Sequence, residues 1–302
     1  MGSDDSKKMS DLKHRILVNG LAGLLVILFI VIAELPGFRW IFTGGMAAII
    51  GVALFEFYGL ARKKGYAPAR ALGIVFSVAY VFSIFIKTGG PYSTLGSFWQ
   101  NSPEIMLAFT FVATFAAFSS PKKEAIVNIA TTLLGIVYVV IPLGLIIRIA
   151  YFFIYGGQND PYFEGTFWLF YLLIVTKSAD MGGYFIGRYF GRHKLALRIS
   201  PNKTLEGAVG GLMTCTGLSL LVCLVGKLFH VFSHFSYVAA LIMGLIIGVV
   251  GQIGDLAESL LKRDAGVKDS NSLPAVGGIL DMVDSLIFTV PIVHIFLKIY
   301  YT

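Results

Sequence analysis

Charge is what this chain has least of. Only 14% of its 302 residues are Asp, Glu, Lys or Arg, against roughly 25% in a soluble globular domain. So little charge excludes an ordinary soluble fold, because a sphere of this size lacks the interior to hide the remaining apolar surface. Cysteine is scarce too, with only Cys215 and Cys223. On one helix these two stand about 12 Å apart in rise, out of disulfide reach. Neither has His or Cys neighbours at zinc-site spacing, so both read as small apolar packing residues. What fills the chain is apolar: 56% of the residues, with a mean hydropathy of +0.79. That excludes intrinsic disorder, which needs low hydrophobicity. The expected fold class is all-α, a polytopic membrane protein.

A bilayer span needs about 20 mostly apolar residues. Nine stretches qualify, near 15–33, 40–60, 71–87, 104–118, 125–151, 167–189, 205–229, 237–253 and 285–301. The third and fourth are short. Residues 1–12 read as a polar leader, 13–165 as an N-terminal transmembrane scaffold and 166–302 as a C-terminal catalytic region. No cleavable signal peptide is expected, because the first apolar stretch runs to about Ile32 with no small-residue cleavage site after it. Lys and Arg divide 18 to 5 between alternate connections, with Lys177 inside a span. The positive-inside rule then puts the N-terminus in the cytoplasm and the C-terminus outside. The net charge of +7 reads as topology and anion binding, with no nucleic acid as partner.

Ionisable groups at membrane depth are functional candidates by default. Glu56 stands alone among Phe55, Phe57 and Tyr58, and its plainest reading is a pair with a helix-end cation such as Arg62. Lys177 and Asp180 share a helix face at i, i+3. After Arg188, the run Ser200-Pro-Asn-Lys203-Thr204-Leu-Glu206-Gly207 reads as a turn feeding a helix N-terminus. Such a terminus, flanked by Lys203 and Arg188, suits phosphate oxygens. Asp255, Glu258 and Lys262 share another face at i, i+3 and i+7. Asp281 and Asp284 repeat the i, i+3 spacing beside Gly277-Gly278. Carboxylates paired beside Lys and Arg are what a Mg²⁺–polyphosphate site needs. The competing plain readings are a salt-bridged helical hairpin and a basic loop touching lipid headgroups.

Together these runs resemble a known family. Ser259-x-x-Lys262-Arg263, then Lys268-Asp269-Ser270, then Gly277-Gly278-Ile-Leu-Asp281-x-x-Asp284 looks like the signature of the phosphatidate cytidylyltransferase (CDP-diacylglycerol synthase) family. Asp180-x-Gly-Gly-Tyr-Phe-x-Gly-Arg188 and the 200–207 run are similar to that family as well. One departure stands at Leu273-Pro-Ala-Val-Gly-Gly278, where the family pattern carries Pro-Gly-His-Gly-Gly; the His is absent and the connection is one residue shorter. The resemblance implies an integral membrane nucleotidyltransferase that converts CTP and phosphatidate to CDP-diacylglycerol and pyrophosphate. It implies Mg²⁺, with K⁺ beside it, and a bacterial-type cytoplasmic (inner) membrane with the active site facing the cytoplasm.

On that basis Asp255, Lys262 and Asp281 are the expected catalytic residues. Asp255, Asp281 and Asp284 are the expected metal ligands. Arg188, Lys203, Thr204, Glu206, Arg263, Lys268 and Asp269 are expected to bind substrate, and Lys177 and Asp180 to line the lipid-facing side of the site. A homodimer stays open as an assembly. Two other classes remain as alternatives. One is a different membrane CDP-alcohol phosphotransferase, whose Asp-Gly-x-x-Ala-Arg pattern is not found in the chain. The other is a polytopic transporter, which would be expected to show inverted repeats and midplane charges.

Overall fold

A computed structural model describes residues 26–88, 100–118, 124–153, 164–232, 234–268 and 278–301. Residues 1–12, the first part of the 15–33 stretch, Asp269 and the departure at 273–277 lie outside the described residues. Nine helices are present among those described: α1 (26–32), α2 (Arg39–Lys63), α3 (Arg70–Thr88), α4 (Ser102–Ala117), α5 (Ala125–Ala150), α6 (Glu164–Phe190), α7 (Leu205–Leu228), α8 (Tyr237–Asp264) and α9 (Ile279–Tyr301). Seven of them, α2, α3 and α5 to α9, are long and apolar enough to cross a membrane, and α4 falls short at 16 residues. A large share of each lies outside the protein core, which suits lipid contact.

Two departures from the expected layout shape the functional end of the molecule. The chain is not wholly helical: β1 (Lys194–Ala196) and β2 (Ser200–Thr204) pair as an antiparallel hairpin. Pro201 lies within β2, which a two-stranded ribbon tolerates because each strand has an unpaired edge. The last two spans also reach farther than expected. No Gly or Pro interrupts 255–264, so α8 runs on to Asp264, and α9 starts at Ile279 instead of Ser285. Asp255, Glu258, Lys262, Asp281 and Asp284 therefore stand on the ends of continuous spanning helices, where rigid elements hold them.

Local chemistry explains the irregularities. α5 contains a π-helical turn at Ile136–Val140. Pro142 follows it and lacks the N–H that would bond the Tyr138 carbonyl, so the helix widens instead of breaking. α7 begins where the Thr204 side chain accepts from the Gly207 N–H at 3.1 Å. α8 begins where the Ser236 hydroxyl accepts from the Ala239 N–H at 3.1 Å. Each is a side-chain cap of the usual kind. Cys215 and Cys223 are both free and buried, as expected.

α6 and α7 form the most extensive helix pair, and glycine permits it. A Cβ on Gly207 would stand 2.8 Å from the Gly183 carbonyl oxygen and 3.1 Å from the Gly187 Cα. Two of the three nearest atoms are backbone, and the third, Thr204 Oγ1 at 3.0 Å, is engaged in capping α7, so little there can yield. Gly207→Ala is expected to lower stability by about 1–3 kcal/mol through overpacking, read as a lower unfolding temperature in detergent. An unchanged temperature would mean that the two backbones are not in this contact.

α6 and α9 run antiparallel. Trp168 at the start of α6 meets Phe296 and Tyr301 at the end of α9, with ring centroids 5.7 and 6.0 Å apart. With Tyr171, Phe232 and Phe235 these rings fill one end of the bundle. The charged residues gather at the other end.

Candidate active site

Where α6 and α8 finish and α7 and α9 begin, they and the hairpin enclose a cavity of about 510 Å³. That volume is in the range for a small-molecule site. α6 contributes Lys177, Asp180, Tyr184 and Arg188, spaced i, i+3, i+7 and i+11 so that one helix face carries them all. β2 contributes Asn202, Lys203 and Thr204, α8 contributes Gln252 and Asp255, and α9 contributes Asp281 and Asp284.

The polar contacts cross between elements. Lys177 Nζ stands 3.5 Å from Asp180 Oδ2 and 3.9 Å from Asp284 Oδ1, and donates to Ser285 Oγ at 3.1 Å. The internal pair expected from the 177/180 spacing is thus present, and it extends to α9. Lys203 forms an ion pair with Asp255, which ties the hairpin to α8. Arg188 Nη1 donates to the Tyr184 hydroxyl at 2.9 Å. Among the four carboxylates Asp284 is deepest, its side chain 11% exposed against 27% to 36% for Asp180, Asp255 and Asp281.

Eight of the residues singled out in the sequence line this cavity: Lys177, Asp180, Arg188, Lys203, Thr204, Asp255, Asp281 and Asp284. Four others that were expected in the site do not line it. Glu206 turns back onto the loop before the hairpin. Its carboxylate accepts from the Arg192 N–H at 3.0 Å and the His193 N–H at 3.2 Å, and lies 2.6 Å from His193 Nδ1. Arg263 donates to the Ile199 carbonyl at 3.2 Å and the Val267 carbonyl at 3.3 Å, so it holds the hairpin against the end of α8. Lys268 is exposed and outside the cavity.

Lys262 sits behind the cavity wall, 2.6 Å from Glu258 Oε2, and donates to Asp281 Oδ1 at 3.2 Å. Glu258 itself is fully buried. Lys262 therefore bridges two carboxylates and fixes Asp281, with no face of its own in the cavity. Outside the bundle, Lys64 adds a tie between the two halves of the chain. It pairs with Asp264 at 2.7 Å, and that hydrogen bond holds the Lys64 ammonium above the ordinary lysine range.

The sequence reading missed Tyr184, Asn202 and Gln252. Signals for two of them were present: Tyr184 lies four residues before Arg188, and Gln252 is a polar side chain three residues before Asp255. Gln252 Nε2 donates to the Ala208 carbonyl at 3.0 Å, joining α8 to α7 beneath the hairpin.

Four carboxylates and three cationic side chains face the cavity. A polyphosphate entering a space with surplus carboxylate needs an added cation. Among the described residues no three Asp, Glu, His or Cys side chains come close enough together to cage a metal. Mg²⁺ does not need such a cage, because it usually takes one or two carboxylates and fills its shell with water and substrate phosphates. The hard oxygen donors here fit that mode.

The profile of the cytidylyltransferase family matches residues 13–300. The chain belongs to that family. Proteins named phosphatidate cytidylyltransferase are similar to it, three of them over 88% to 100% of their length. The one from Chlamydia pneumoniae is 34% identical over 293 residues, covering 96% of this chain and 92% of the relative. The one from Synechocystis is 34% identical over 275 residues, with 85% and 88% covered. The one from Bacillus subtilis is 31% identical over 297 residues, with 97% and 100% covered. The family profile spans all nine helices, so the N-terminal half is as much part of the family as the cavity-bearing half.

Proposed function

We propose that this integral membrane transferase joins CTP to phosphatidate, giving CDP-diacylglycerol and pyrophosphate. The observation that carries the reading is the convergence of Asp180, Asp255, Asp281 and Asp284 with Lys177, Lys203 and Arg188 on one cavity at the end of the spanning helices. The nucleophile is an oxygen of the phosphatidate monoester, which attacks the α-phosphorus of CTP. The bond from that phosphorus to the bridging oxygen of the β-phosphate breaks, and pyrophosphate leaves. A phosphomonoester has a second pKa near 6, so it is already mostly dianionic at neutral pH and no strong general base is required.

The work left to the protein is to bring two anions together and hold them in line. Lys203 and Arg188, on the hairpin and the end of α6, are suited to the triphosphate. Lys177, deeper along α6, is suited to the phosphatidate headgroup, with Asp180 setting its position. Mg²⁺ would be held by one or two of Asp255, Asp281 and Asp284, and would supply charge neutralisation at the departing pyrophosphate. Glu206, Arg263 and Lys262 serve by holding the hairpin and Asp281 in place. The excess of Lys and Arg on this side supports a cytoplasmic orientation, where CTP is available.

The test is direct. Purified protein in phosphatidate-containing micelles, given labelled CTP and Mg²⁺, is expected to yield a lipid-soluble cytidine product. Chelating the divalent cation with EDTA is expected to stop it. Absence of product with phosphatidate present, at any Mg²⁺ concentration, would overturn the proposal.

A further inference from the structure

The Glu56 carboxylate lies far from the cavity in sequence and is not part of its lining. It is on α2, 2% exposed, among Phe57, Tyr58 and Leu54. A carboxylate buried at that depth is costly without a purpose. Its Oε2 accepts a hydrogen bond of 2.8 Å from the Leu280 N–H. Leu280 is the second residue of α9, so this is one of the N–H groups that a helix start cannot satisfy within itself. Leu280 lies 224 residues from Glu56 in the sequence, so this bond ties the start of α9 to α2.

The next residue is Asp281, and Asp284 follows one turn later. The first turn of α9 is thus held from two sides. α2 grips its backbone through Glu56, and α8 grips its side chain through Lys262 and Asp281. The height and rotation of that turn decide how Asp281 and Asp284 face Asp255 across the cavity. The negative carboxylate also suits the positive end of the α9 dipole.

We propose that Glu56 is a positioning residue for the reaction: it caps α9 across the bundle and sets the geometry of the Asp281/Asp284 pair. The proposal rests on the functional reading above for its catalytic part. The cap itself does not.

Glu56→Gln keeps an acceptor oxygen, Glu56→Ala removes it, and Glu56→Asp withdraws it by one methylene. Hydrogen exchange of the 279–284 amides in detergent reads the cap without any turnover. In Glu56→Ala the Leu280 amide is expected to exchange about 5–30-fold faster, the range for loss of one helix cap, with Glu56→Gln near wild type. In the product assay, Glu56→Ala is expected to lose about 10–100-fold in turnover or in the Mg²⁺ requirement, as for loss of a group orienting a metal ligand. Glu56→Gln is expected to recover most of that loss.

Unchanged exchange in Glu56→Ala would overturn the cap. Faster exchange with wild-type turnover and Mg²⁺ dependence would overturn the positioning role. If Glu56→Ala does not fold, Glu56→Asp decides: local loss of protection at 279–284 with reduced turnover supports the proposal, and wild-type behaviour in both overturns it. A wild-type protein without product would sink the functional reading alone and leave the exchange result standing.

Discussion

Asp281→Asn is expected to cut formation of CDP-diacylglycerol by at least about a hundredfold, in line with removing one preorganised charge at a reacting centre. The substitution isolates that charge. Asn keeps the shape of Asp and an oxygen that can accept from Lys262, which donates to Asp281 Oδ1 at 3.2 Å. Lys262 then balances Glu258 alone, so the buried charges behind the cavity become better matched, and the fold is expected to hold. The readout is product formed against Mg²⁺ concentration, beside the unfolding temperature of the same preparation. Turnover within a few-fold of wild type would remove Asp281 from the reaction, whatever the position of its neighbours.

Lys262→Met is expected to act the other way, on stability first. Glu258 is fully buried and Lys262 is 14% exposed. Removing one partner of a buried pair leaves the other charge uncompensated, which costs about 3–5 kcal/mol. Removing both together usually costs far less, and a well-packed apolar pair is often neutral. Lys262→Met combined with Glu258→Leu is therefore expected to regain most of the unfolding temperature lost by Lys262→Met alone. Turnover is not expected to return with it, because Asp281 still lacks the ammonium that holds it. Recovery of both would show that Lys262 serves the fold alone. Failure to recover stability would show that the pair is not the buried unit described.

The residues that line the cavity were largely legible in the sequence, and the reason is helical periodicity. Lys177, Asp180 and Arg188 fall on one face of α6, Asp281 and Asp284 on one face of α9, and local spacing suffices to see either set. The helix start near Thr204 was likewise visible from its neighbours, though Thr204 itself, expected to bind substrate, proves to be the cap. What spacing cannot give is the partner of a side chain on a distant element. Glu206 looked like a phosphate ligand because it follows Lys203-Thr204, yet it satisfies the Arg192 and His193 amides. Lys262 shares a face with Asp255 and Glu258, yet it also donates to Asp281 on α9 and lies behind the wall. The hairpin escaped because its strands are only three and five residues long, too short to display an alternating pattern.

Glu56 has a counterpart at the opposite end of the bundle. Glu34, also buried, accepts from the Thr166 N–H at 3.1 Å and its hydroxyl at 2.6 Å, closing the first turn of α6 as Glu56 closes that of α9. Each of the two helices that carry most of the cavity's charge thus starts on a carboxylate lent by the first fifth of the chain. The consequence is one of modularity. The C-terminal half supplies every residue that lines the cavity but does not own the ends of its principal helices, so it is not expected to be a portable unit. A graft onto another N-terminal half is expected to hold only where that half presents two acids at matching depths, one near each end of the bundle.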